Sequence, residues 1–202
     1  QVYRQLLQIR PAAAELHNDL GSVLGSQGQW EEAILCFRTA LQLQPNFANA
    51  YYNLGGVFLL QNNLDEAETW YRHALALSPQ IVDYHTRLGF VLHNRGKLAE
   101  ATECYRHALE LQPDLVEVHF NLGHVLQARN QLEDAKVCYR QAILLKPDFV
   151  EAYNNLGSVL QAQHQLEEAT VCYRHALQLK PDFAEVHTNL GDALLDQSEF
   201  EE

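Results

Sequence analysis

The sequence predicts an all-α fold, a right-handed solenoid superhelix built from helix-turn-helix hairpins, because one pattern returns every 34 residues along the chain. A fixed period of this length is typical of repeat architectures, in which each unit buries its apolar face only against its neighbours. The six prolines keep this step, at Pro11, Pro45, Pro79, Pro113, Pro147 and Pro181. Six Leu-Gly pairs keep it too, and they begin at Leu20, Leu54, Leu88, Leu122, Leu156 and Leu190.

Each repeat contains two amphipathic helices. In residues 150–183 the apolar residues fall on two stripes with helical spacing. The first stripe consists of Tyr153, Leu156, Val159 and Leu160, and the second of Ala169, Cys172, Tyr173, Ala176, Leu177 and Leu179. The repeat is therefore predicted to be a helix hairpin.

Local signals place the ends of these helices. Asp148 and Glu151 have the spacing of a capping box and predict that the first helix starts there, and Asp114/Glu117 and Asp182/Glu185 repeat the pair. The helix is expected to end near Gln163, before a position that favours left-handed backbone and reads Gly28, Asn62, Gly96, Asn130, His164 and Ser198. Proline then prevents the second helix from continuing.

The period divides the chain into one array, predicted as a single domain over residues 1–202. Residues 1–13 are a partial repeat, the full repeats are 14–47, 48–81, 82–115, 116–149 and 150–183, and residues 184–202 are a first helix with the opening of a second. Both ends fall inside a repeat, so a longer parent protein is expected. The apolar residues Leu6, Leu7, Ile9, Leu194, Leu195 and Phe200 near the two ends suggest head-to-tail self-association through an open-ended contact.

The spacing of aromatic residue, Leu-Gly, Ala, Tyr and Pro resembles the tetratricopeptide repeat (TPR) family. In the last full repeat these residues are Tyr153, Leu156, Gly157, Ala169, Tyr173 and Pro181. The resemblance covers the whole chain, although His or Tyr stands where the family pattern has Trp, and Leu or Phe where it has Tyr. It implies a superhelix whose inner wall is formed by the first helices of the hairpins.

Composition and charge exclude several classes of function. The formal net charge is −12, and no two Lys or Arg residues are adjacent, so the chain lacks the basic track that nucleic-acid binding requires. No stretch of 18 apolar residues occurs, so no membrane span is expected. The four cysteines (Cys36, Cys104, Cys138 and Cys172) occupy one repeat position in separate hairpins, which predicts free thiols and a cytoplasmic setting.

No catalytic or cofactor motif is present. The chain has no phosphate-binding Gly-rich loop, no nucleophile elbow and no HExxH or C-x2-C metal motif, so neither an enzyme nor a cofactor is predicted. Four repeat-equivalent histidines, His17, His85, His119 and His187, lie in different hairpins and cannot converge on one metal ion.

The candidate binding residues precede the Leu-Gly pairs: Asp19, Asn53, Arg87, Asn121, Asn155 and Asn189. They lie on a face of the first helix distinct from its apolar stripe. Asn is a poor helix former, so its recurrence at an exposed helical position calls for a reason. A carboxamide can pair with both the N–H and the C=O of an extended peptide.

This series resembles the Asn ladder in the TPR superhelix of O-linked N-acetylglucosamine transferases, which holds the backbone of an extended client. The resemblance extends to Asn53, Asn121, Asn155 and Asn189, while Asp19 and Arg87 interrupt it. Acidic residues on the same face, Glu15, Asp83, Glu117, Glu151 and Glu185, favour basic protein segments as partners and argue against a carboxylate-binding clamp.

The sequence thus predicts a protein-binding scaffold that holds an extended segment in a concave groove. The alternative interpretation of the ladder is a solvated consensus surface without a ligand. Two other functions are open: a structural spacer that stacks end to end, and the substrate-selecting arm of a larger glycosyltransferase-like enzyme.

Overall fold

The structure is a computed structural model that describes residues 2–201, with side chains for residues 2–198. Its contacts divide the chain into unit 1, Gln1–Lys97, and unit 2, Leu98–Glu202, with the boundary in the turn of the third repeat. The described residues form twelve α-helices and no strand. The predicted all-α solenoid of helix hairpins is confirmed, whereas the assignment of residues 1–202 to a single array stays a prediction.

Unit 1 contains α1 (Val2–Ile9), α2 (Ala14–Ser26), α3 (Trp30–Leu43), α4 (Ala48–Leu60), α5 (Leu64–Leu77) and α6 (Val82–Asn94). Within it, α2/α3 and α4/α5 form hairpins, α3 packs on α4, and α5 packs on α6.

Unit 2 contains α7 (Leu98–Leu111), α8 (Val116–Ala128), α9 (Leu132–Leu145), α10 (Val150–Ala162), α11 (Leu166–Leu179) and α12 (Ala184–Glu201). Here α8/α9 and α10/α11 form hairpins, and each hairpin packs on the helix before and the helix after it.

A ring-on-glycine contact closes each of these four hairpins. The second helix contributes a ring that is almost fully buried, and the ring lies against the glycine of the Leu-Gly pair on the first helix. A Cβ at Gly157 would lie 2.5 Å from Cε1 of Tyr173, closer than two carbon atoms can pack. The other pairs are Gly21/Phe37, Gly55/Tyr71 and Gly123/Tyr139. Glycine is therefore required here so that the two helices can approach.

The turn inside each hairpin confirms the predicted left-handed residue. Gly28, Asn62, Gly96, Asn130 and His164 have φ between 56° and 76°. The expectation for Ser198 is wrong, because α12 continues as one helix through this residue to Glu201. Serine tolerates left-handed backbone less well than Gly or Asn, and its hydroxyl instead donates to the carbonyl of Leu195.

The predicted capping boxes are also wrong. The residue that caps α10 is Phe149, one position after Asp148, and it makes no side-chain cap hydrogen bond. The Phe149 N–H donates back to the Lys146 carbonyl, and its own carbonyl accepts from the amides of Ala152 and Tyr153. The Phe149 ring packs on Phe120 at 4.7 Å between centroids, so packing rather than an acidic cap places the start of this helix.

The four repeat-equivalent histidines hold the turn that precedes the first helix. The Nε2–H of each ring donates to the carbonyl of the proline six residues earlier, over 2.8–2.9 Å. The pairs are His17/Pro11, His85/Pro79, His119/Pro113 and His187/Pro181. Each histidine thus has a structural role within its own repeat.

Buried polar side chains on the second helices bond to the next repeat, and we call these contacts polar joints. They occur at one repeat position, which holds Glu68, Thr102 and Lys136. The buried carboxylate of Glu68 on α5 accepts from Lys97, which follows α6, at 2.8 Å and from Arg72 on its own helix at 2.9 Å. Arg95 pairs with Glu68 as well. Burial raises the pKa of Glu68, but the hydrogen bonds from Lys97 and Arg72 outweigh burial, and its pKa lies below the ordinary value for a glutamate.

The equivalent joints in unit 2 use different chemistry. Thr102 accepts a hydrogen bond from Arg129 at 2.9 Å. The buried ammonium of Lys136 donates to the amide oxygens of Gln163 and Gln165 at 3.1 and 3.2 Å. The same repeat position thus holds a carboxylate at Glu68, a hydroxyl at Thr102 and an ammonium at Lys136. Each of these groups is paired with side chains of the next repeat that suit its own chemistry.

We expect Gly157→Ala to destabilise the protein by about 1–3 kcal/mol, because the added methyl overlaps the Tyr173 ring and this cost exceeds the gain in helix propensity. Gly191→Ala is the matched control, since a Cβ at this equivalent position meets no atom within 4 Å. It should stabilise the protein by up to about 1 kcal/mol. Chemical denaturation of both variants measures the difference, and equal effects would contradict the role assigned to the ring.

We expect Glu68→Gln to reduce the free energy of unfolding at pH 7 by about 2 kcal/mol, because three cations lose their buried counter-charge. The pKa of Glu68 is lowered by folding, so its contribution is complete above the ordinary glutamate pKa and is lost as the pH falls through the lower folded value. The difference between parent and variant should therefore shrink as the pH falls below the ordinary glutamate pKa. Glu103→Gln, at an exposed pair with Arg106, is the control and should change stability by less than about 0.5 kcal/mol.

Candidate functional site

The six candidate residues lie one on each first helix, directly before its Leu-Gly pair. Asp19, Asn53 and Arg87 belong to α2, α4 and α6 of unit 1. Asn121, Asn155 and Asn189 belong to α8, α10 and α12 of unit 2. The four asparagines are half-buried rather than exposed as expected, and Asp19 and Arg87 are exposed.

Three of the asparagines hydrogen-bond to the preceding repeat. Asn53 Nδ2 donates to Asn18 Oδ1 at 2.9 Å and to Ser22 Oγ at 3.2 Å. Asn189 Nδ2 donates to Asn154 Oδ1 at 2.9 Å.

Asn155 Nδ2 donates to His124 Nε2 at 2.8 Å. All these contacts join first helices of adjacent repeats. The recurrence of Asn in a helix interior therefore has a structural reason that the sequence alone did not reveal.

These bonds leave the side-chain oxygens of Asn155 and Asn189 available as hydrogen-bond acceptors. A carboxamide has two amide hydrogens and an oxygen with two lone pairs, and the contacts of Asn155 and Asn189 described above use only amide hydrogens. Their oxygens lie on half-buried side chains at the same face. The series can thus stabilise the array and still offer acceptors to an extended backbone.

A cavity of about 320 Å³ opens on this face in unit 1. Its aromatic lining comes from Trp30, Phe37, Tyr52 and Tyr71, and two of the candidate residues, Asn53 and Arg87, also line it. Ser22 and Gly56 line the part of the cavity that α2 and α4 provide. Sequence reasoning named Asn53 and Arg87 but missed the cavity, because its walls come from five different helices.

Tyr52 links the cavity to Arg87. Its ring stacks on Tyr84 with centroids 5.0 Å apart and lies 5.5 Å from the ring of Tyr71. The hydrogen bond with the Tyr52 hydroxyl is the main cause that raises the pKa of Arg87, and it outweighs the opposing effect of burial. Burial, followed by the nearby Tyr52 hydroxyl, raises the pKa of Tyr71. Arg87 is thus a permanent cation held beside an uncharged aromatic cluster.

Carboxylates flank the same helical face outside the cavity. Glu15, Asp83, Glu117 and Glu151 are exposed near the starts of their helices. Glu185 is also exposed and accepts a hydrogen bond from Asn154 Nδ2 at 3.0 Å. These groups leave the outer part of the face negative in both units.

The cysteines are free thiols, as predicted. Cys138 is buried and the other three are half-buried. Burial raises the pKa of Cys138 and Cys172 to about 11, so both stay protonated at neutral pH. Such thiols are poor nucleophiles and metal ligands.

Other predicted features stay predictions. Leu6, Ile9, Leu194 and Leu195 are 40–78% exposed, while Phe200 lies outside the described side chains. Head-to-tail association through these residues stays a prediction. Among the described residues no group of His, Cys, Asp or Glu could hold a metal ion, and no helix is long and apolar enough to cross a membrane.

The comparisons with known proteins agree on one family. A model described as tetratricopeptide repeat matches residues 18–81, and a second, described as TPR repeat, matches residues 91–128, 123–164 and 162–198. No curated protein matches the chain in sequence.

Several solved structures share the fold. YrrB, described as a TPR protein with an unusual peptide-binding site, is 22% identical, with a TM-score of 0.86 over 93% of this chain and 97% of that chain. MamA from Desulfovibrio magneticus RS-1 is 19% identical, with a TM-score of 0.79 over 85% of this chain and 97% of that chain. PilF from Pseudomonas aeruginosa is 22% identical, with a TM-score of 0.71 over 95% of this chain and 93% of that chain. At these identities the likeness is one of fold.

A double-mutant cycle on Asn155 and His124 should measure the proposed joint. We expect Asn155→Ala and His124→Ala to be coupled by about 0.5–1.5 kcal/mol in the free energy of unfolding, the net value of one hydrogen bond. Asn155→Ala with Glu103→Gln, a residue on another helix, should be additive. Additivity in the first pair would show that the Asn155 side chain does not stabilise the array.

Proposed function

Because the chain belongs to the tetratricopeptide repeat family, we propose that it is a binding scaffold that holds an extended protein segment along the first helices of its hairpins. The observation that carries the proposal is the cavity on this face of unit 1, which combines aromatic walls with Asn53 and Arg87. A cleft that is mostly apolar, with a few convergent polar groups, is the usual form of a binding site.

The asparagine series supplies the polar part of this proposal. An extended segment exposes one N–H and one C=O per residue, and it needs partners for both when water is displaced. The oxygens of Asn155 and Asn189 are suitable acceptors, since the bonds to the neighbouring repeats use amide hydrogens. We propose that Asn53, Asn121, Asn155 and Asn189 share these roles, while Asp19 and Arg87 interrupt the series.

Charge supports basic residues in the bound segment. The exposed carboxylates of Glu117 and Glu151 belong to the same helices as Asn121 and Asn155. A Lys or Arg beside the bound backbone would pair with them at small desolvation cost. YrrB, which shares the fold, is described as having an unusual peptide-binding site, and this supports the binding of a peptide by this chain.

In this proposal the chain acts by binding rather than by catalysis, and it works in the cytoplasm. The buried, protonated thiols supply no nucleophile. A spacer that only stacks end to end would need no cavity on the first helices, so this alternative is a distinct outcome of the test.

The test is selection from a library of random dodecapeptides displayed on phage, followed by fluorescence anisotropy with the enriched peptides. We expect enrichment of sequences that contain Lys or Arg, and we expect Asn53→Ala to weaken binding about 5–10-fold, the effect of one or two hydrogen bonds. Val137→Ala is the control, because Val137 is 65% exposed on the second helix α9.

Circular dichroism establishes that each variant is as helical as the parent. Equal affinities of Asn53→Ala and Val137→Ala would contradict the role of the asparagines. Failure to enrich any peptide, with a mass that rises with concentration in light scattering, would favour the self-assembling spacer.

A further inference from the structure

Two glycines of unit 1 have no packing role. A Cβ at Gly21 or Gly55 would lie 2.7 or 3.0 Å from a ring carbon, but Gly25 and Gly56 have no such close contact. A Cβ at Gly25 would lie 3.7 Å from Val57, and a Cβ at Gly56 would lie 3.6 Å from the Tyr71 hydroxyl. Both are ordinary contact distances. Each glycine costs its helix about 1 kcal/mol relative to alanine, so the fold gives no reason for either.

These glycines keep the cavity open. The position of Gly25 is occupied by Gln127 in α8 and by Gln161 in α10, where the Gln side chains accept hydrogen bonds from Tyr139 at 2.9 Å and Tyr173 at 3.1 Å. In unit 1 the same position is Gly25 in α2 and Leu59 in α4, so neither helix has a Gln that covers the ring below. Gly25, Leu59 and Gly56 all line the cavity.

The lining is mostly apolar and contains no acidic residue. Among the lining residues, all of which the structure describes, Arg87 is the only one with a formal charge. Asp83, one turn earlier on α6, lies outside the lining and is the weakest named cause of the raised pKa of Arg87. A guanidinium has five N–H donors, so the bond with Tyr52 leaves donors for a second acceptor.

We propose that this cavity is an anchor site for one aromatic side chain of the bound segment, and that Arg87 binds the carboxylate of an adjacent acidic residue. The inference rests on the proposed function and states which side chains of the bound segment the chain recognises. A volume of about 320 Å³ is at the lower end for ligand sites and suits a single ring. The basic residues proposed above pair with carboxylates outside the cavity, so the two requirements fall on different residues of the segment.

The two tryptophans of the chain provide a direct test. Trp30 lines the cavity, whereas Trp70 lies outside it and donates its indole N–H to Glu66 at 2.8 Å. In a nitrogen–proton NMR spectrum, the indole signal of Trp30 therefore reports binding in the cavity, and the indole signal of Trp70 is an internal control. The probes are N-acetyl-Asp-Phe-amide, N-acetyl-Lys-Phe-amide and N-acetyl-Asp-Ala-amide, titrated into the full chain.

We expect N-acetyl-Asp-Phe-amide to shift the Trp30 signal in a saturable way while the Trp70 signal stays in place. The Lys-Phe probe should bind about tenfold more weakly, because it loses the charged hydrogen bond, and the Asp-Ala probe should give no saturable shift. Arg87→Gln should remove the preference for the Asp-Phe probe over the Lys-Phe probe.

Gly56→Phe fills the cavity with the residue that the chain carries at the equivalent position, Phe90, and should abolish the shift. Val137→Ala, an exposed change on α9 outside the cavity, is its control and should bind within about threefold of the parent. A thermal melt shows that both variants fold. An unchanged shift in Gly56→Phe, equal movement of both indole signals, or equal affinity of the Asp-Phe and Lys-Phe probes would overturn the proposal.

The two proposals fail in distinguishable ways. A saturable Trp30 shift with no peptide enriched from the library would keep the anchor site and remove the extended-segment scaffold. Enriched peptides that bind Gly56→Phe as tightly as the parent would keep the scaffold and remove the anchor site.

Discussion

The contact on which the other features of the hairpins depend is the aromatic ring that lies against a helical glycine. In α10/α11 the Tyr173 ring is almost fully buried and occupies the space that a side chain at residue 157 would need. This contact brings the two helices close and aligns their small residues, and Ala169 and Ala176 are completely buried on either side of the ring. Because the same pair recurs in four hairpins, one local solution is repeated along the chain.

Repetition of one hairpin does not by itself determine which hairpin follows which. The polar joints between repeats supply part of that information. Glu68 meets cations from the next repeat, whereas Lys136, at the equivalent position, meets two glutamine oxygens. Exchanging such neighbours would remove these hydrogen bonds between repeats, while Glu68 would keep Arg72 and Lys136 would keep Glu133 as ion-pair partners on their own helices. The buried polar side chains therefore favour the correct order of repeats, while the apolar core is nearly the same in each.

The candidate site arises where the repeats depart from their own consensus. In α8/α9 and α10/α11 of unit 2, glutamines accept hydrogen bonds from the hydroxyls of the buried Tyr139 and Tyr173. In unit 1 glycine and leucine stand there instead, and the rings of Phe37 and Tyr71 line an open cavity. A repeat protein can gain a specific site in this way, because removing a covering side chain at one position leaves the framework of the array intact.

The sequence by itself determined the period, the two helices of each repeat and the left-handed residue of the turn. These features depend on residues that are close along the chain and on a pattern that appears five times. It placed the starts of the first helices one residue early, because the Asp of the expected capping box competes with the packing of an aromatic residue such as Phe149 on Phe120. It also indicated the face on which the candidate residues lie.

Only the tertiary structure decided what these residues do. The half-burial of the asparagines, their bonds to the preceding repeat and the joint at Glu68 connect positions 27–35 residues apart. The Glu68 joint had a signal in the sequence, a polar residue on the second helix that recurs with the period of the repeat, but its partners were not evident. The cavity combines side chains from five helices, and its volume depends on atoms that are absent at Gly25 and Gly56. Contacts and empty space of this kind follow from how helices pack in three dimensions, and no pattern along the chain records them.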